Sequence, residues 1–305
     1  MYEAFYGLKE PPFKMTPDPQ FFYVSEKHRE ALAQCIYGMK EKKGFIVITG
    51  EEGTGKTALI HYLIESINGS SDTRTAFVLS PNFSDFNFLG SILKDLGAIS
   101  PGSSKGDSLR ILHENLLKAY EDGKGFVLFV DDAQDLTRGL IEEIRLLSNL
   151  ETSKSKLVQI VLVGQPALEK TLLRPDFRQV RQRINLWCHL GPLSKKETEE
   201  YIAKRLKTGG AASPIFTERA IERVYLKSKG IPGVINILCN RSLENGYALD
   251  RRVVDKKEVQ EAVKDLGLNP FWSDFRVWLL IAFFLGGGLL VLGIVSGRLD
   301  FSRFH

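Results

Sequence analysis

The chain has 305 residues, 43% of them hydrophobic and 26% charged, with 41 Lys and Arg against 37 Asp and Glu for a formal net charge of +4. This is the composition of an ordinary globular protein with room for one large domain or two modest ones, and the charge is too small to imply nucleic acid by itself. The cysteines Cys35, Cys188 and Cys239 are dispersed and form no Cys-x-x-Cys pair, which argues against a zinc site or a disulfide framework and for buried thiols.

Residues 1–24 are rich in Pro and Phe and carry Pro11, Pro12, Pro17 and Pro19. They read as an extended arm, without the basic and apolar regions of a signal peptide. From Ser25 to about Leu190, short apolar runs alternate with helical patterns. The runs are FIVIT (45–49), TAFVLS (75–80), FVLFV (126–130), LVQIVLV (157–163) and INLWCHL (184–190). Uninterrupted runs of Val, Ile and Phe between helices predict strands buried on both faces of a parallel sheet.

The first run leads into Gly50-Glu51-Glu52-Gly53-Thr54-Gly55-Lys56-Thr57, which matches the phosphate-binding pattern G-x-x-x-x-G-K-[ST]. Glycines let backbone N–H groups turn toward phosphate oxygens. Lys56 is the candidate cation for the β- and γ-phosphates of ATP, and Thr57 offers a hydroxyl to Mg²⁺. The helix that follows aims its positive N-terminus at the anion. The third run ends in Asp131-Asp132. Asp131, at the C-terminal end of a buried strand, is placed to hold Mg²⁺ through its water shell. Asp132 stands where a general base would orient water. Alternatively, the acidic pair caps the turn into a helix that starts near Thr137.

From about Ser194 to Gly267 the pattern is helical only, through KKETEEYIAKRL, TERAIERVYLKS and VINILCNRSLENGYAL. Beyond it, Val277 to Gly297 carries no charged residue and is bracketed by Arg276 and Arg298, with Trp272 and Trp278 near its start. At roughly 20 residues it is long enough to span a bilayer, and aromatic and basic flanks suit the interfaces. The competing reading is a buried core helix.

The stretches YEAFYGLKEPPFKMTPDPQFFYVSEKHREAL, GFIVITGEEGTGKTALI, VLFVDDAQDL, VLVGQPAL, RQVRQRI, LGPLSKKETEEYIAKRL and GIPGVINILCNRSLENGYA occur in this order. Through them the chain, over about residues 1–265, resembles the AAA+ ATPases of the general secretion pathway ATPase A group, whose relatives serve pilus and exopolysaccharide loci. The resemblance implies that Pro17-Asp18-Pro19, Phe21 and the helix bearing His28 lie over the adenine. It implies that Gln165 is a polar sensor beside the γ-phosphate, though Gln165 also reads as a turn residue before Pro166. It implies that Arg183, with Arg181 in reserve, is an arginine finger for a neighbouring subunit. Against this, Arg174, Arg178, Arg181 and Arg183 also read as a solvated basic face. Two departures stand out. The group has Asp-Glu where this chain has Asp131-Asp132, and Gly-Ile-Pro-Arg where this chain has Gly230-Ile231-Pro232-Gly233. The second departure removes a lid cation, for which Arg241 is a poor substitute.

The expected fold is an α/β P-loop AAA+ parallel sheet with a small all-helical lid domain and one C-terminal transmembrane helix. The expected segments are an arm (1–24), the α/β domain (25–191), the lid (192–268), a linker (269–276), the membrane helix (277–297) and a short tail (298–305). The expected function is ATP hydrolysis with Mg²⁺ by a homo-oligomer. It would be anchored once in the inner membrane with its ATPase domain in the cytoplasm, and would act with an envelope assembly-machine membrane protein rather than nucleic acid. Two other readings are a nucleotide-gated scaffold with little turnover and a DNA-handling protein of the transposition-helper type.

Overall fold

Five strands form one parallel sheet in the order β2-β3-β4-β1-β5, where β1 is Phe45–Gly50, β2 Thr73–Val78, β3 Gly125–Val130, β4 Gln159–Gly164 and β5 Ile184–Leu190. The computed structural model describes residues 1–68, 72–79, 85–98, 104–153 and 155–268. The expected linker, membrane helix and tail lie outside the described residues. Among those described, no helix is long and apolar enough to cross a membrane.

In chain order the helices are α1 (Glu3–Tyr6), α2 (Glu26–Lys40), α3 (Lys56–Asn68), α4 (Asp85–Asp95), α5 (Lys105–Glu121), α6 (Arg138–Leu147), α7 (Pro166–Leu172), α8 (Arg178–Arg181), α9 (Lys195–Thr208), α10 (Glu218–Ser228), α11 (Pro232–Ala248) and α12 (Lys256–Asp265). Alternate residues of the inner strands divide between two cores. Phe45 and Val47 of β1, Leu128 and Val130 of β3, and Ile160 and Leu162 of β4 pack with Phe88, Leu112, Leu140 and Ile144 of α4, α5 and α6. Their neighbours Ile46, Ile48, Val127, Phe129, Val161 and Val163 pack with Cys35 of α2 and with Leu59, Ile60 and Leu63 of α3. Two covered faces explain why these strands are apolar without alternation. The edge strand β5 does alternate, with Asn185, Trp187 and His189 exposed and Cys188 and Leu190 buried.

The second strand begins and ends two residues earlier than the apolar run suggests. Thr73 and Arg74 pair with Gly125 and Phe126, and the ladder stops at Val78 beside Val130. Backbone pairing with β3, not hydrophobicity, fixes this register. All three cysteines are free and buried.

The helices α9 to α12 surround a third core that includes Tyr201, Ile202, Leu206, Val224, Ile235, Leu238, Cys239, Val259 and Val263. Tyr2, Leu8 and Phe13 of the N-terminal arm belong to the same core, so the first residues of the chain pack with its helical end. One isolated parallel bridge, Phe216 to Val254, interrupts the purely helical pattern there.

A single carboxylate ties the two ends together. Glu197 closes the capping box of α9, accepting from the Ser194 N–H and hydroxyl at 2.9 Å each, and its other oxygen accepts from the Glu26 N–H of α2 at 3.1 Å. Two helix N-termini therefore share one negative charge, which suits both dipoles. Burial pushes this carboxyl up, but the hydrogen bonds from Ser194 and Glu26 outweigh it and hold the pKa below the usual value. A lowered folded pKa gives stability that is present above the unfolded value, about 4.3, and is lost as pH falls through the folded one. Glu197→Gln is expected to cost about 1 kcal/mol near neutral pH, the scale of a lost cap. The gap to wild type should close on acidification through the folded pKa. Urea denaturation across pH checks both, and a gap that stays constant with pH would contradict the assignment.

Candidate functional site

The crossover from β1 to α3 is the phosphate loop. Gly53 and Gly55 adopt positive φ, 76° and 94°, which L side chains rarely reach. These turns direct the loop around a cavity of ≈ 320 Å³ lined by Gly53 to Ala58, Asp132 and Gln165 on one side. The opposite wall comes from Lys14 to Asp18, Phe21 to Tyr23, His28, Tyr201, Arg205, Pro232, Gly233 and Asn236.

Lys56 is only 8% exposed and its Nζ donates to the carbonyls of Gly50 and Glu51 at 3.0 and 2.9 Å. Burial pulls its pKa down, against the opposing charges of Asp131 and Asp132. Thr57 Oγ1 donates to Asp131 Oδ2 at 2.6 Å, and Asp131 Oδ1 accepts the Asp132 N–H at 2.9 Å. Asp131 is 1% exposed; burial raises its pKa, while these two hydrogen bonds oppose the rise. A hydroxyl and a carboxylate side by side are the hard oxygen donors that Mg²⁺ takes, usually together with water and substrate phosphates. Among the described residues no group of three His, Cys, Asp or Glu forms a metal cage by itself. A cation here would rely on Thr57, Asp131 and the ligand.

Asp132 stands in the left-handed region at φ 49°. Its Oδ1 accepts from Gln134 Nε2 at 3.2 Å, and Gln134 Oε1 accepts the Gln165 N–H at 2.9 Å. Gln134 thus joins the ends of β3 and β4, both of which face the cavity through Asp132 and Gln165. Gln165 caps α7 by position but makes no side-chain cap. On the other wall, His28 Nδ1 meets the Ser25 hydroxyl at 2.7 Å, and burial holds its imidazole below the usual pKa. Its Nε2 has no hydrogen-bond partner of good geometry among the described residues and lies against the loop, 3.2 Å from where a Cβ on Gly55 would stand.

Of the residues singled out from the sequence, Pro17, Asp18, Phe21 and His28 line the cavity, while Pro19 does not and opens the 3-10 turn Pro19–Phe21. Arg183 does not. It precedes Ile184, which pairs with Phe45 at the start of β1, whereas the phosphate loop follows Gly50 at its end. Its Nη1 donates to Ser148 Oγ at 2.7 Å. Arg181 is exposed and its Nη1 meets the Leu173 carbonyl at 3.5 Å. Arg241 is paired with Asp265 and Glu244, each at 3.0 Å, away from the cavity. At the lid position without its cation, the Gly233 N–H donates to the Gly53 carbonyl at 2.9 Å.

Three residues that sequence reasoning missed matter here. Gln134 sits inside the acidic motif but was not distinguished from it. Arg205 interrupts the apolar stripe of Tyr201, Ile202 and Leu206, a signal that was available. Asn236, whose Oδ1 accepts from the Tyr201 hydroxyl at 2.8 Å, carried no signal.

The fold is the α/β P-loop fold of AAA+ proteins, with a phosphate-loop motif at the C-terminal end of β1. A family model described as AAA domain matches residues 39–172. The chain is related along nearly its whole length to a general secretion pathway protein A from Aeromonas hydrophila, 37% identical over 295 residues. That alignment covers 95% of this chain and 53% of the relative, so the chain spans about half the length of that protein. A weaker similarity, 30% over 114 residues, joins 35% of the chain to 27% of an uncharacterized HTH-type transcriptional regulator from Methanocaldococcus jannaschii. Among solved structures, the Aeropyrum pernix ORC2 protein superposes with a TM-score of 0.64 at 18% identity, over 84% of this chain and 71% of that one. CDC6P from Pyrobaculum aerophilum gives 0.67 at 18%, over 83% and 70%. At such identity these structures speak to the fold alone.

Removing Lys56 takes away a desolvated cation without opening the apolar cores. Lys56→Ala is expected to stay folded and to lose about 10- to 100-fold in ATP affinity, the worth of a charge-assisted hydrogen bond. Titration with a fluorescent ATP analogue, beside a thermal melt, measures both; unchanged affinity in a folded variant would remove the site assignment.

Proposed function

We propose that this chain is a Mg²⁺-dependent ATPase. Residues 277–297 would hold it at the inner membrane and residues 1–268 would lie in the cytoplasm. Its nucleotide cycle would drive or regulate an envelope secretion, pilus or polysaccharide-export assembly. The observation that carries the ATPase reading is the contact of Thr57 with Asp131 beside the buried Lys56. The secretion role and the membrane site rest on the name of the Aeromonas relative and on the apolar segment of the sequence.

In this reading Lys56 neutralises the β- and γ-phosphates, and Thr57 and Asp131 hold Mg²⁺, which when bound spreads the charge on the transferring phosphoryl group. Asp132 orients the attacking water and receives its proton. Gln134 keeps Asp132 in register with Gln165, whose amide stands near the γ-phosphate. Arg183 would serve a neighbouring copy, the role that the resemblance gives it; in its own chain it lies at the opposite end of the sheet from the loop. A planar, permanent cation suits that task.

A second reading, a nucleotide-gated scaffold that hardly turns over, is favoured by one observation. The lid contacts the phosphate loop through the Gly233 backbone, with no side-chain cation at that position.

Steady-state phosphate release by the purified full chain separates the two. Asp132→Asn is expected to lower release about 100-fold, the lower range for a general base, while ATP affinity changes little. Equal mixtures of Arg183→Ala and Lys56→Ala proteins are expected to recover part of the activity that each lacks. A wild-type protein that binds ATP and releases no phosphate would leave the scaffold reading. Verified mixed oligomers without recovery would end the trans role of Arg183.

A further inference from the structure

Arg205 of α9 is a guanidinium with only 6% of its surface exposed, and it forms no ion pair among the described residues. A buried cation without a counter-charge is costly unless its donors are used and its faces covered. Here both conditions are met by residues far apart in sequence. Nε donates to the Pro12 carbonyl at 2.8 Å, Nη2 to the Lys14 carbonyl at 3.3 Å, and Nη1 to the Tyr201 hydroxyl at 2.7 Å. The guanidinium carbon lies 5.4 Å from the centre of the Phe21 ring and 5.5 Å from that of Tyr201, within cation–π range. Tyr201 in turn donates to Asn236 of α11. One side chain therefore joins the arm, α9 and, through Tyr201, α11.

Its partners Lys14, Phe21 and Tyr201, and Asn236 behind Tyr201, line the same cavity as the phosphate loop, as Arg205 itself does. The proposed function gives the loop to the phosphates, and the resemblance to the secretion ATPase group implies that Pro17-Asp18-Pro19 and Phe21 lie over the adenine, so the nucleoside half of the ligand would face the arm. Two backbone carbonyls on either side of Phe13, those of Pro12 and Lys14, call for a rigid fork of donors, which Arg has and Lys lacks.

We propose that Arg205 is a positioning residue that clasps the N-terminal arm to the helical unit, so that residues 14–22 form the wall against which the nucleoside of a bound nucleoside triphosphate packs. The proposal rests on the reading of the cavity as the nucleotide site. Apolar packing holds residues 2–13; the proposal assigns to one buried cation the placing of the stretch that follows, from Pro12 to Phe21.

The experiment uses the full chain and three variants, Arg205→Ala, Arg205→Lys and Lys56→Ala. Affinities for ATP and for tripolyphosphate, which has the phosphates and no nucleoside, are measured by competition against a fluorescent ATP analogue. Trypsin cleavage after Lys9 and Lys14 reports whether the arm is held. Arg205→Ala should weaken ATP binding about tenfold, the loss of hydrogen bonds worth roughly 1.4 kcal/mol. It should speed cleavage of the arm and leave tripolyphosphate affinity within about twofold of wild type by the same reckoning. Arg205→Lys, which keeps the charge and most of the stem, should fold even if the alanine variant does not. It should show the same pattern at smaller size. Lys56→Ala should weaken both ligands alike and leave the arm protected. Equal loss of ATP and tripolyphosphate in the Arg205 variants would overturn the clasp, as would wild-type ATP affinity or a fully protected arm in Arg205→Lys. Unchanged affinity for both ligands in Lys56→Ala would instead remove the nucleotide site beneath it.

Discussion

The hydrogen bond from Thr57 to Asp131 crosses the end of β4, because β1 and β3 are not neighbours in the sheet. It needs the three parallel strands to end on the same side and within a few residues of one another. The register does this: Thr49 pairs with Gly164, the last residue of β4, and Val130, the last of β3, with Leu162. Parallel strands with covered faces put all their C-terminal ends on one side, and the phosphate loop, the acidic pair and Gln165 are the residues that follow those ends. Shifting β4 by one residue would turn its core side chains to the other face and part Thr57 from Asp131. The two apolar cores that lock the register are therefore what place the polar site.

Much of this was legible in the chain itself. The loop Gly50–Thr57 is a local pattern whose spacing carries its own geometry. Asp131 could be read because a run of Val, Leu and Phe ends there. The helix start at Thr137 is borne out by its side chain, which accepts the Leu140 N–H. What was not legible depends on contacts distant in sequence. Nothing local marks Thr73 as the start of β2, since only pairing with Gly125 decides it. Nothing around Pro12 says that its carbonyl meets Arg205, 193 positions on. The strand order also waits on the structure, because apolar runs do not say which run lies beside which.

The far wall of the cavity is built on different physics. The arm contributes Tyr2, Leu8 and Phe13 to the helical core, Tyr23 donates to Glu200 at 2.5 Å, and Glu197 binds the start of α2. The helical unit is thereby attached through the arm and α2 as well as through the chain that follows β5. At its closest approach the lid meets the loop at Gly53, through the Gly233 backbone and the Ile231 side chain. A Cβ on Gly233 would stand 3.1 Å from Gly53 Cα, so a larger residue there would have to push the two apart. Losing the lid cation and gaining this close contact are two results of one glycine.

If Thr57 and Asp131 hold the cation, ATP binding must depend on Mg²⁺ through that pair. Calorimetric titration of ATP with and without Mg²⁺, into wild type and Thr57→Val, measures this directly. The account predicts that Mg²⁺ tightens ATP binding to wild type and has little effect on Thr57→Val, with both proteins folded. An equal Mg²⁺ effect in the two proteins, or none in wild type, would contradict it.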